Sequence, residues 1–214
     1  MFCFRPLRLL ISLLVLGLLA CSSTSPLIKA VTKNDYPKAK SLIDKGADIK
    51  VTTKTGFDLL TLAILNENVD MVKLLLDHGF DLKSEKGTMA FMVTAIRGNV
   101  SILKILLDRG VANINVQRNY DPNKLQWTPL IAAAYHGHKD CVQLLLDRGA
   151  NVNVVSRTYV NADIDESRSS GGYTTYVRTS GLRKEASDKT ALGWAKVQGH
   201  TEIVELLKKY GAEE

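Results

Sequence analysis

A chain of 214 residues, 45% hydrophobic and 23% charged, can bury one or two normal cores, and this composition excludes wholesale disorder. Its 28 Lys and Arg stand against 22 Asp and Glu, a formal +6 that raises nucleic acid or an anionic membrane surface as partners. The basic residues are spread and do not interleave with aromatics, so no concentrated phosphate-reading face is expected and nucleic acid is set aside.

The first twenty residues, MFCFRPLRLLISLLVLGLLA, place Arg5 and Arg8 before an apolar run from Leu9 to Ala20. That run is shorter than the ~20 apolar residues of a bilayer span and suits the apolar region of a secretory signal. The next stretch, Leu18-Leu19-Ala20-Cys21-Ser22-Ser23, resembles the lipobox of bacterial lipoproteins, although Leu19 is larger than the residue usual there. The resemblance implies cleavage before Cys21, a diacylglycerol thioether on its thiol and acylation of the new amine. Ser22 in place of Asp resembles the signal for the outer membrane, on its periplasmic face. The expected segments are a signal peptide over 1–20, a short lipid tether over 21–24 and a folded domain over 25–214. Loss of Arg5 and Arg8 leaves 26 basic against 22 acidic residues, a formal +4. Cys3 would leave with the signal and Cys21 would carry lipid. Cys141 then stands alone, and the fold must be held by packing without an intramolecular disulfide.

From Ser25 onward the sequence repeats itself. SPLIKAVTKNDYPKAKSLIDKGADIK begins at Ser25, DLLTLAILNENVDMVKLLLDHGFDLK at Asp58 and MAFMVTAIRGNVSILKILLDRGVANIN at Met89. TPLIAAAYHGHKDCVQLLLDRGANVN begins at Thr128 and TALGWAKVQGHTEIVELLKKYGA at Thr190. In the fourth copy Thr128 is placed to cap a helix opened by Pro129, Leu130 with Ala133 and Ala134 gives one apolar face, and Gly137 allows the positive φ that ends it. Cys141, Val142 and Leu144 to Leu146 then form the stripe of a second helix closed by Gly149. One such pair cannot bury its stripe alone, so the copies must stack.

The pattern resembles the ankyrin repeat, with its Thr-Pro-Leu opening, Gly-His turn, Leu-Leu-Leu run and closing Gly-Ala. The resemblance implies an all-α solenoid of about five helix-turn-helix repeats, over about 25–50, 58–83, 89–115, 128–153 and 190–212. The repeat also decides how the polar cluster His136, His138, Asp140 and Cys141 is read. His138 aligns with His200, Asn68 and Asn99, and Cys141 with Met71, Ile102 and Ile203, so both are structural positions rather than a metal or nucleophile site. Asp140 aligns with Asp70, Ser101 and Glu202, as suits a helix N-terminus. The resemblance further implies that the variable pairs before each glycine line a concave, partner-contacting face. These are Leu65 and Asn66, Ile96 and Arg97, Tyr135 and His136, and Val197 and Gln198.

Two insertions break the spacing. The copies start 31, 39 and 62 residues apart from Asp58 onward, against a unit of about 33. The smaller insertion, 116–126, carries an Asp121-Pro122 turn signal. The larger, 154–189, has strand-like ends, VVSRTYV and GGYTTYVRT, around a polar centre, and predicts a long β-hairpin finger between the last two repeats. Arg157, Tyr159, Tyr173, Tyr176 and Arg178 are its candidate contact residues. Asp163 to Ser167 opens like a calcium loop, but Arg168 stands where the loop needs Gly and Thr174 where it needs Glu.

The expected function is therefore non-enzymatic protein binding by a monomeric, envelope-anchored repeat protein with no cofactor, metal or small-molecule substrate. An immunity-type inhibitor of an envelope-acting toxin is the alternative role within that class. An enzyme with its site in the insertion is the rival class, but that segment holds no His, Cys or phosphate-cradling glycine loop.

Overall fold

The computed structural model describes residues 25–111, 113–119, 125–158 and 189–213. The signal, the tether with Cys21, and the insertion residues Tyr159, Tyr173, Tyr176 and Arg178 lie outside the described residues. The chain divides into two compact units, Met1–Val93 and Thr94–Glu214.

In the first unit, helices α1 (Pro26–Thr32), α2 (Tyr36–Asp44), α3 (Leu59–Leu65) and α4 (Val69–Asp77) form two antiparallel pairs, and α5 (Glu85–Arg97) begins. α1 packs on both α2 and α3, and α2 on α4, so like helices stack on like. The apolar stripes explain the arrangement: Leu27, Val31, Leu59, Leu60, Ile64, Met71 and Leu75 are all buried. Each stripe is sealed by its neighbour, as the repeat demands.

The third copy departs from its expected start. α5 opens at Glu85, four positions before Met89, because Ser84 Oγ accepts the Gly87 N–H at 3.1 Å and caps the helix early. Gly87 is required there. A Cβ at that position would lie 2.5 Å from the Leu82 backbone.

In the second unit, α6 (Val100–Asp108), α7 (Pro129–Tyr135), α8 (Lys139–Asp147), α9 (Ala191–Gln198) and α10 (Thr201–Lys209) continue the series. α7 packs on α8 and α9, while α8 packs on α6 and α10. Cys141 is fully buried in this core, and burial pushes its thiol up to about 12.

One repeat position does two jobs. Asn68 and Asn99 cap their own helices, accepting the N–H of Met71 at 2.8 Å and of Ile102 at 3.0 Å. His138 and His200 make no such cap. Their rings reach back instead: His138 Nε2 lies 2.8 Å from the Ile96 carbonyl and His200 Nε2 lies 3.0 Å from the Tyr135 carbonyl. Each ring lies where the side chain of the preceding turn glycine would be, Gly98 and Gly137 respectively. The histidines therefore tie neighbouring repeats together, as their alignment with structural positions suggested.

A hairpin does occur, but in the shorter insertion. β1 (Arg118–Asn119) pairs antiparallel with β2 (Leu125–Trp127), with Arg118 opposite Trp127. β3 (Arg157–Thr158), the start of the longer insertion, adds antiparallel to β2, with Gln126 opposite Arg157. The order is β1-β2-β3. The expected long hairpin is not seen among the described residues. The strand-like VVSRTYV end contributes its two residues to the neighbouring insertion's sheet, and GGYTTYVRT lies outside the described part. Among the described residues no helix is long and apolar enough to cross a membrane.

Candidate partner-binding site

The site grows from the point where the longer insertion leaves and rejoins the repeats. Ser156 N–H donates to the Lys189 carbonyl at 2.9 Å, and Lys189 N–H donates back to Ser156 Oγ at 3.0 Å. The same hydroxyl accepts the indole N–H of Trp194 at 3.1 Å. Ser156 is fully buried, while its partners Lys189 and Trp194 are half-buried. Gln117 Nε2 donates to the Val155 carbonyl at 2.9 Å, tying the first insertion to the second.

Behind this neck lies an aromatic cluster. Trp127, at the end of β2, is 2% exposed and packs against Tyr135 with ring centroids 4.7 Å apart and against Trp194 at 5.4 Å. Tyr135 meets Trp194 edge-on at 5.5 Å, and the Lys189 ammonium lies 5.3 Å from the Trp194 ring centre. His136 continues the row, edge-on to Tyr135 at 5.1 Å and stacked on His138 at 5.9 Å. Burial first, then the neighbouring His138 and His200, lowers the His136 imidazole to about 4. At neutral pH it is an uncharged ring with a hydrogen-bonding edge, suited to contact rather than to proton transfer.

The structure distributes the remaining sequence candidates unevenly. Ile96 is half-buried and lends its carbonyl to His138, and Arg97 beside it is also half-buried. Val197 is 58% exposed and Gln198 is exposed, so they stand at a surface. Arg157 sits in β3 at the neck. In the first unit Leu65 is half-buried, and the Asn66 amide donates to the Val31 carbonyl at 2.8 Å, so Asn66 clamps adjacent repeats. Among the described residues no three His, Cys, Asp or Glu side chains come together to hold a metal ion.

Sequence reasoning missed Trp127, Ser156, Lys189 and Trp194. A signal was present: Trp194 occupies a repeat position filled by Lys29, Leu62, Val93 and Ala132 in the other copies. An aromatic ring where no other copy carries one marks a local requirement, here the neck of the insertion.

Paired helices stacked by capped turns and inter-repeat histidines define a helical repeat scaffold. The family model for Ankyrin repeats (3 copies) matches residues 7–86, 27–118 and 80–156. The chain belongs to the ankyrin-repeat family, whose repeats imply protein–protein interaction. It is similar to the mouse (Mus musculus) serine/threonine-protein kinase TNNI3K, 40% identical over 112 residues, 52% of this chain and 10% of the kinase. It is also similar to the Dasypus novemcinctus ankyrin repeat, SAM and basic leucine zipper domain-containing protein 1, 31% identical over 57% of this chain and 26% of that protein. With the human (Homo sapiens) transient receptor potential cation channel subfamily A member 1 it shares 27% identity over 64% of this chain and 12% of the channel. The chain thus spans no more than about a quarter of these relatives. The kinase likeness carries no kinase activity to this chain.

Proposed function

We propose that the chain is a non-enzymatic, protein-binding lipoprotein of the bacterial envelope, held at the outer membrane through Cys21. Its partner contacts the variable positions of the second unit, Tyr135, His136, Val197 and Gln198, together with the 154–189 insertion. The observation that supports this best is the neck. Ser156 and Lys189 are locked to each other and to Trp194, so the insertion departs from and returns to one fixed point. Fixing both ends reduces the ordering cost that a partner must meet. A loop retained only as a connection has no need of a buried three-way latch.

The test is affinity capture from envelope extracts with two baits. One is the intact chain; the other has residues 159–188 replaced by a short Gly-Ser linker, with Ser156, Lys189 and Trp194 kept. The reading expects a protein recovered by the first bait and lost or strongly reduced with the second. Equal recovery removes the insertion from the binding site. Labelling with palmitate tests the anchor separately. Cys21→Ser should abolish both label and membrane retention, and a variant that keeps them overturns the lipoprotein reading.

A further inference from the structure

Beyond Cys21 the basic residues are spread along the chain, but their excess over acidic ones is concentrated in one stretch. Between Ser25 and Gly56, seven lysines meet three aspartates and no arginine, a formal +4. From Phe57 to Glu214 nineteen basic residues meet nineteen acidic ones. The whole excess that remains beyond Cys21 therefore belongs to the first helical pair and the turn that follows it.

The helices present that charge outward. α1 exposes Pro26 and Lys29, and Lys33 continues the same three-and-four spacing at its end, while Leu27, Ala30 and Val31 are buried. α2 exposes Lys38 and Ser41, and Lys45 follows at the same spacing, while Ala39 and Ile43 are buried. Lys50 and Lys54 are exposed on the turn beyond. The three aspartates are already engaged. Asp35 accepts the Lys38 N–H at 3.1 Å, Asp48 accepts the Lys50 N–H at 2.8 Å, and Asp44 pairs with the Lys40 ammonium at 2.8 Å, with His78 at 3.7 Å. Among the described residues, Lys40 is the one lysine of the seven in an ion pair.

We infer that this first repeat is a docking surface for anionic phospholipid headgroups. Lysines without arginine give diffuse point charges rather than the planar forks that read phosphates in nucleic acid, and Tyr36 is the only aromatic among residues 25–56. The inference rests on the lipoprotein reading for its orientation. Four residue steps from Cys21 to Ser25 reach at most about 14 Å, and the screening length at physiological salt is about 8 Å. A lipid on Cys21 would hold the α1 lysines where headgroup charge acts on them. Lysines near such a surface each add appreciable attraction, and a basic patch beside a lipid is a recurring two-part anchor. Here the lipid retains the protein and the lysines lay its first helical pair against the bilayer.

The test separates the surface from the anchor. The chain from position 21 onward with Cys21→Ser, which carries every described element, is sedimented with vesicles of phosphatidylcholine alone or with about 30 mol% phosphatidylglycerol. Binding is expected only to the anionic vesicles, falling more than tenfold between about 0.05 M and 0.5 M salt. The triple variant K29E/K33E/K38E should lose at least tenfold in binding, whereas K208E/K209E on α10 should bind as the parent does. Circular dichroism of both confirms folding. Equal loss in the two variants, or binding to neutral vesicles, overturns the inference. Single-stranded RNA that displaces the vesicles and binds more tightly overturns it in favour of nucleic acid. Because this chain carries no lipid, failure here leaves the palmitate result to judge the lipoprotein reading by itself.

Discussion

Ser156→Ala isolates the latch at the insertion's neck. The substitution removes one oxygen that accepts two donors, the Lys189 N–H at 3.0 Å and the Trp194 indole N–H at 3.1 Å. It leaves the Ser156 N–H bond to the Lys189 carbonyl, at 2.9 Å, in place. A buried donor left without its acceptor costs about 1–3 kcal/mol. Lys189 and Trp194 are only half-buried, so water recovers part of that cost, and the expected loss is about 1–2 kcal/mol. For a chain of this size that lowers Tm by about 2–8 °C. The assay is urea unfolding followed by tryptophan emission. The chain holds two tryptophans, Trp127 and Trp194, and both lie in this cluster, so the signal reports the neck itself. Folded Ser156→Ala should also emit at longer wavelength as the indole N–H turns to water. A midpoint within about 0.5 kcal/mol of the parent, with unchanged emission, would mean that the neck is held by backbone alone.

Three further outcomes follow from the packing. Asp58 stands where other copies carry Thr128 and Thr190; it is 3% exposed and accepts the Thr61 N–H at 2.7 Å. Burial pushes its carboxyl above the ordinary range, with the Thr61 bonds opposing. A raised folded-state value stabilises below the unfolded pKa, and that contribution is lost as pH rises through the folded value. Asp58→Thr should keep the cap and flatten that decline between pH 4 and neutrality, whereas Asp58→Ala should cost about 1 kcal/mol through the lost cap; equal effects of the two in urea melts at both pH values would refute this. Gly87→Ala would gain about 1 kcal/mol from helix propensity alone, yet a Cβ 2.5 Å from the Leu82 backbone must push the helix start aside, so a net loss of about 1–2 kcal/mol is expected in the same melts. Cys141, with its thiol raised to about 12 by burial, should resist iodoacetamide at pH 8 in the folded chain and react promptly in urea, as read by mass spectrometry.

The repeat core was legible because its determinants are local and periodic. A threonine followed by proline, Leu130 with Ala133 and Ala134 on one face and a glycine at a positive φ specify a capped helix and a turn from within one copy. The observed Thr128 cap on Ile131 N–H, at 3.2 Å, and the Gly137 φ of 79° follow from those residues. The first helix of the third copy opens earlier than the alignment indicates because Ser84, and not the aligned Met89, carries an oxygen that can cap it.

The candidate site was only half legible, for a different reason. Tyr135 and His136 could be singled out because the repeat leaves their positions variable. Ser156 and Lys189 could not, because their partnership spans 33 residues and depends on where an insertion closes. The pairing of β3 with β2 likewise joins two insertions that no repeat pattern relates. The histidine position carries the same lesson. Alignment equates His138 with Asn99 and Asn68. Asn99 caps its own helix, while Asn68 caps its helix and also donates to Asn34 Oδ1 of the repeat before it. The His138 imidazole reaches the Ile96 carbonyl without capping. An asparagine there keeps the helix cap, whereas a histidine gives up the cap and bonds a backbone carbonyl of the preceding repeat. His138→Asn should accordingly preserve the α8 start while loosening its hold on the repeat before it.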